Sequence, residues 1–210
     1  MGLLIKEYVE NGCLLGLWEI SESFDTLYKQ VQLDDDEKNT LFGFKNDNRQ
    51  VEWLSVRALL NFLTEKNSKI VYNEEHKPFL FGNSYNISIS HSHKLTSILL
   101  GKQKRVGIDL EFMSHRINKI AHKFINQREY ITPEKDLEKL HLYIHWCAKE
   151  SLYKICDKKN INFKDNLTIQ PFEIEQGGII HGIHHDVNIH DEFQLKYKIY
   201  DNYVIVYCFK

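Results

Sequence analysis

From residue 85 onward the chain alternates between two incompatible periodicities, and this limits its architecture more than any other feature. Ile87 and Ile89 alternate with Ser88 and Ser90, and a second apolar run covers residues 96–100 after the polar bend His91, Ser92, His93 and Lys94. Val106, Ile108 and Leu110 then alternate with Gly107, Asp109 and Glu111. A period of two belongs to strands. Beyond them the apolar positions recur at helical spacing, first over residues 117–130 through Ile117, Ile120, Ala121, Phe124 and Ile125. A longer helix opens at Thr132, Pro133 and Glu134 and runs through Leu137, Leu140, Ile144, Ala148, Leu152 and Ile155. Upstream, residues 14–20 read as a strand, and residues 34–44 as a helix with an acidic start. Residues 49–63 form a helix with Val51, Leu54, Ala58 and Phe62 in one stripe. After residue 166, strand-like runs such as 193–199 and 203–209 alternate with turn residues. The order predicts an α+β fold.

Composition narrows the classes. An apolar share of 42% over 210 residues is enough for a sizeable core, so disorder is excluded. A net charge of -2 gives no electrostatic case for nucleic acid or an anionic membrane surface, although a polyanionic small ligand remains open if basic residues converge locally. Cys13, Cys147, Cys156 and Cys208 form no C-x-x-C pair, which points to a reducing cytoplasm and away from a disulfide framework or zinc knuckle. Lys6, Glu7, Glu10 and Asn11 interrupt the first twenty residues, so neither a signal peptide nor a membrane span is expected there.

Three constellations carry chemistry. Residues two apart on a strand share a face, so the run VGIDLE sets Asp109 beside Glu111. Adjacent carboxylates repel unless a cation or proton relieves them, which suits a hard ion such as Mg²⁺; a solvated strand face is the plainer reading. In WCAKESLYK, Glu150 and Lys154 are four apart on one helix face, with Trp146 a turn before; by spacing alone this is an ordinary surface ion pair. Finally, His76, Lys77 and Pro78 precede the Ser90, His91, Ser92 bend, whose hydroxyls and imidazole suit phosphate oxygens or merely form a polar turn. Arg57 borders the helical stripe, where its stem can snorkel at the core's edge. The histidine-rich stretch with His181, His184, His185 and His190 lacks regular zinc-ligand spacing and is expected in an exposed turn.

Taken in order, these motifs resemble the 4'-phosphopantetheinyl transferases of the surfactin-synthetase-activating type. The matching stretches are His76-Lys77-Pro78, Ser90-His91-Ser92, Gly107-Ile108-Asp109-Leu110-Glu111 and Trp146 to Lys154, about the middle half of the chain. Two departures stand out: His76 replaces the loop glycine, and the N-terminal basic pattern is partial, with Lys38 at a place where the family often contacts the 3'-phosphate.

The resemblance implies two similar α/β lobes related by a pseudo-twofold axis, here residues 1–104 and 105–210, with coenzyme A between them. It implies transfer of the phosphopantetheine arm of coenzyme A to a serine of an apo acyl or peptidyl carrier protein, releasing 3',5'-ADP. Asp109, Glu111 and Glu150 would hold Mg²⁺. Glu150, or second Glu111, would accept the serine's proton. Lys154, with Lys149 as a weaker candidate, would sit on the pyrophosphate. Lys38, Arg57, Lys77, Pro78, Ser90 and His91 would bind coenzyme A. The implied state is a monomer, and the carrier would dock on residues 114–130 with Arg116, Lys119, Lys123 and Arg128. Rival readings are a carrier-binding module of the same fold without turnover, which the intact acidic and basic residues oppose, and a metal-dependent nuclease, which the absence of a basic excess opposes.

Overall fold

The computed structural model describes residues 2–82, 84–114, 116–156 and 160–210, and the chain divides into two units, Met1–Lys104 and Arg105–Lys210. In the first, β1 (Leu3–Glu10) and β2 (Cys13–Glu19) lead into α1 (Phe24–Gln30), α2 (Asp35–Gly43) and α3 (Asp47–Thr64). The strands β3 (Ile70–Tyr72), β4 (Pro78–Leu80), β5 (Asn86–Ser92) and β6 (Leu95–Gly101) follow. Antiparallel pairing gives a sheet in the order β1-β2-β6-β5 and a separate β3–β4 ribbon.

Four elements of this unit, β1, α1 and the two three-residue strands β3 and β4, lie outside the sequence expectations. Strand β1 is an edge strand, so its alternate residues Leu4, Lys6, Tyr8 and Glu10 are exposed and its charges interrupt the apolar run. Helix α1 is only seven residues long with Leu27 alone buried, too short to show a period; Ser23 caps it by accepting a bond from Thr26 N. Helix α3 carries the core, packing Leu54, Ala58, Leu59 and Leu60 among Leu14, Trp18, Ile98 and Leu100. Burial of each such large side chain contributes roughly 1.5–3 kcal/mol.

The second unit runs β7 (Val106–Phe112), α4 (Ile117–Phe124), α5 (Lys135–Cys156), α6 (Phe163–Asn166), β8 (Leu167–Ile169), β9 (Gly177–Asp186), β10 (Ile189–Tyr200) and β11 (Tyr203–Phe209). Its sheet has the order β7-β11-β10-β9-β8, antiparallel throughout. Helix α5 lies across it, burying Cys147, Ala148, Leu152 and Ile155 with Val204, Val206, Leu195 and Tyr197.

The helix expected over residues 117–130 stops at Phe124. Ile125 is already extended, and Asn126 Oδ1 turns the chain by accepting from Arg128 N at 2.8 Å. Helix α5 begins at Lys135, because Thr132 Oγ1 accepts from Glu134 N at 3.3 Å and Glu134 O receives the first helical bonds, from Leu137 N and Glu138 N. The histidine-rich stretch is a hairpin rather than a turn: His185 lies opposite His190, and His184 is buried. Among the described residues no helix is long and apolar enough to cross a membrane.

Candidate active site

The centre of the second unit depends on a missing side chain. A Cβ added to Gly107 would lie 2.1 Å from Ser151 O, so only glycine lets β7 and α5 approach this closely. Ser151 Oγ ties the helix to the next strand by donating to Val206 O at 2.8 Å. The pleat then turns Gly107, Asp109 and Glu111 toward α5 and Val106, Ile108 and Leu110 to the other face. Asp109 is therefore 5% exposed, and the strand face read as a solvated one is covered by a helix.

Helix α5 brings its own groups to that face. Lys154 Nζ donates to Asp109 Oδ1 at 2.7 Å and to Ile108 O at 2.8 Å, so the lysine expected to pair with Glu150 bridges to the strand instead. Burial raises the Glu150 carboxyl from an ordinary 4.5 to about 7; the charge of Asp109 adds to this, Lys154 offsets part of it, and Glu111 adds again. Asp109 and Glu111 thus both oppose ionisation of Glu150 across the β7–α5 junction. One turn before Ser151 on α5, Cys147 is fully buried, and burial together with Asp109 and Glu111 pushes its thiol well above its usual range, so it stays protonated. Its place beside the carboxylates was not anticipated, although it stands inside the W-x-x-K-E run.

Among the described residues no group of three or more His, Cys, Asp or Glu side chains is arranged to hold a metal ion as it stands. The donor chemistry of Asp109, Glu111 and Glu150 fits a hard divalent cation all the same: the donor atoms are all oxygens, and three carboxyl groups share the junction with a single ammonium, that of Lys154.

Lys149 does not join this group. Its ammonium is fully buried and donates to Phe124 O, to Glu129 Oε2 at 2.7 Å and to Phe163 O at 3.0 Å, which uses all three hydrogens and corrects its assignment to a phosphate. Glu129, in a loop without periodic pattern, gave no sequence signal.

In the first unit, Arg57 is likewise internal. It is 5% exposed, donates from Nε to Glu37 Oε1 at 2.9 Å and lies over the Trp53 ring, so it is a core ion pair and not a coenzyme A contact. Lys38 is on the exposed side of α2, 3.4 Å from Asp35. His76 adopts φ +59°, the left-handed conformation that glycine takes without cost, so histidine keeps the turn at the expense of strain. Asn73 Oδ1 holds that turn by accepting from Lys77 N at 2.8 Å, and Pro78 opens β4. Ser90 is buried on β5, where its carbonyl accepts from Ser97 Oγ. His91 Nε2 accepts from Arg49 Nη1 at 2.6 Å, and Glu52 is 3.2 Å from the same Arg49 atom. The only sequence hint of Arg49 and Glu52 was their i,i+3 spacing at the start of α3.

Residues 105–208 match the family model described as the 4'-phosphopantetheinyl transferase superfamily. The 4'-phosphopantetheinyl transferase AcpT of Salmonella typhi is 29% identical over 112 residues, which is 50% of this chain and 58% of that protein. The match thus spans little more than half the length of this curated relative.

Proposed function

We propose that this chain, which belongs to the 4'-phosphopantetheinyl transferase superfamily through residues 105–208, transfers the 4'-phosphopantetheine moiety of coenzyme A to a serine of an apo acyl or peptidyl carrier protein. The observation that carries this reading is the convergence of Asp109, Glu111, Glu150 and Lys154 where β7 meets α5, with the Glu150 carboxyl raised to about 7.

The reaction forms a bond from the serine oxygen to the phosphorus that bears pantetheine and breaks the bond from that phosphorus to the bridging oxygen, releasing 3',5'-ADP. Asp109, Glu111 and Glu150 would hold Mg²⁺. When bound, the ion supplies positive charge to the pyrophosphate oxygens and relieves the repulsion among its ligands. Glu150 takes the serine's proton, as the carboxylate that α5 brings to Asp109 and Glu111. Lys154, fixed by Asp109 Oδ1 and Ile108 O, adds positive charge beside the leaving group. Lys77, Pro78, Ser90 and His91 remain our candidates for the nucleotide and phosphate end. The surfactin-synthetase-activating subtype, a monomeric state and a cytoplasmic location complete the reading; four buried cysteine thiols are consistent with a reducing compartment.

The test is to incubate the protein with coenzyme A, Mg²⁺ and a panel of apo-carriers and to weigh the carriers. A mass gain of one phosphopantetheine that disappears with chelator is the expected result. No gain on any carrier, by protein that melts cooperatively, would overturn the reading.

A further inference from the structure

The Lys149–Glu129 pair lies away from the carboxylates and is built as a clamp. Both side chains are fully buried. The lysine ties α5 to the last carbonyl of α4 at Phe124 and to Phe163 at the start of α6, while Glu129 accepts from Asn126 N at 2.8 Å through Oε2 and from Ile169 N at 2.9 Å through Oε1. Five segments therefore meet on one ion pair: α4, the loop after it, α5, α6 and β8. The bonds satisfy every ammonium hydrogen and give both carboxylate oxygens a partner, the condition under which a buried pair is tolerated.

Lys149 also immediately precedes Glu150 and lies two residues before Ser151, the residue whose carbonyl meets Gly107. On one side the helix is pressed against β7 at Ser151; on another it is held by the ammonium. Two such anchors fix both the height and the rotation of α5, and so the side from which Glu150 meets Asp109.

We propose that Lys149 and Glu129 are positioning residues for the transfer reaction, setting the place of Glu150 against the β7 carboxylates. The inference rests on the function proposed above. A neutral buried pair of similar size strands no charge, but it cannot remake bonds to Phe124 O, Phe163 O, Asn126 N and Ile169 N, so it loosens the clamp without leaving a buried ion unpaired. That difference separates positioning from mere support of the fold.

The experiment compares wild type, Glu129→Gln and the double variant Lys149→Met/Glu129→Leu. It measures melting temperature, kcat and KM for coenzyme A on a carrier that the wild type modifies, and amide hydrogen exchange across residues 146–154. The expected result is a double variant that melts below wild type but is fully folded at the assay temperature, with kcat at least tenfold lower, KM within about twofold, and faster exchange around Glu150. Should that variant not fold, Glu129→Gln is expected to show the same kcat loss and faster exchange. Rates and exchange that return to wild type with the melting temperature would overturn the proposal, and so would a loss confined to KM, which would put the ammonium on coenzyme A. If the wild type modifies no carrier, the function reading falls and the exchange data alone decide: unchanged protection around Glu150 overturns the positioning role.

Discussion

Replacing Glu150 by Gln should make the metal-free protein more stable at alkaline pH while removing its activity. The Glu150 carboxyl is raised from 4.5 to about 7, so between those values the folded state binds a proton that the unfolded state has released. Stability is then fully present below about pH 4.5 and is lost as pH rises through 7. A shift of this size corresponds to about 3 kcal/mol at pH 8, at 1.36 kcal/mol per unit. Glutamine keeps the size and does not ionise, so the variant escapes the loss. Thermal melts with chelator present, from pH 4 to 8.5, should show the two proteins together at the acid end and the variant roughly 5–10 °C higher at the alkaline end. Subtracting the curves cancels the titrating groups that do not interact with Glu150. Transfer to an apo-carrier should meanwhile fall by about two orders of magnitude, the scale of losing a general base. A difference between the melts that stays flat with pH would refute the raised carboxyl, and a variant with near wild-type transfer would refute its role.

Gly107→Ala should cost about 3 kcal/mol or more and abolish transfer, since its Cβ would meet the Ser151 carbonyl, which is backbone and cannot give way; an unchanged melting temperature would remove the close approach from the argument. His145 is buried and its pKa is pushed down to about 3, mainly by burial, so it contributes stability above 6.5 that is lost as pH falls toward 3; His145→Phe should flatten the acid limb of a pH–melting curve, and an unaltered limb would count against it. Arg57→Ala should destabilise by roughly 3–5 kcal/mol by stranding the buried Glu37, while the remaining folded protein binds coenzyme A with wild-type affinity in calorimetry; weaker binding would return Arg57 to the site. His91→Ala should lower that affinity without a comparable loss of stability, because its ring and its partner Arg49 are both partly exposed; unchanged affinity would remove it from the site.

What was legible in the sequence follows from the range over which each signal acts. Strand β7 and helix α5 carry strong periods, so their existence and the pairing of Asp109 with Glu111 could be read directly. Burial of the Asp109 face could not, because a D-x-E row looks the same under solvent or under a helix; the clue was Gly107, whose need is seen only once Ser151 O is opposite it. The same blindness applies to the basic residues. Lys154, Lys149 and Arg57 have similar sequence surroundings, yet one reaches a strand carboxylate, one is enclosed by two carbonyls and Glu129, and one stacks on Trp53. Partners 20 or 45 residues away decide between a ligand contact and a buried ion pair. The end of α4 was missed for a local reason, because its apolar spacing continues through Ile125 while the Asn126 side chain turns the backbone.

The adjacent Lys149 and Glu150 illustrate why the W-x-x-K-E-x-x-x-K spacing works as a unit. Consecutive helical residues are about 100° apart, so a helix lying on a sheet can bury one and leave its neighbour facing a different partner. Here Cys147, Ser151 and Lys154 follow the β7 side at steps of four and three, Glu150 borders that stripe, and Lys149 turns toward α4 and α6. Exchanging the order of the two residues would place a carboxylate against Phe124 O and Phe163 O, which can only accept bonds, and an ammonium among Asp109 and Glu111. The first change leaves an unpaired charge in the interior and the second removes the excess negative charge on which the proposed cation binding rests. The order K-E is therefore required twice, once by the fold and once by the chemistry proposed for it.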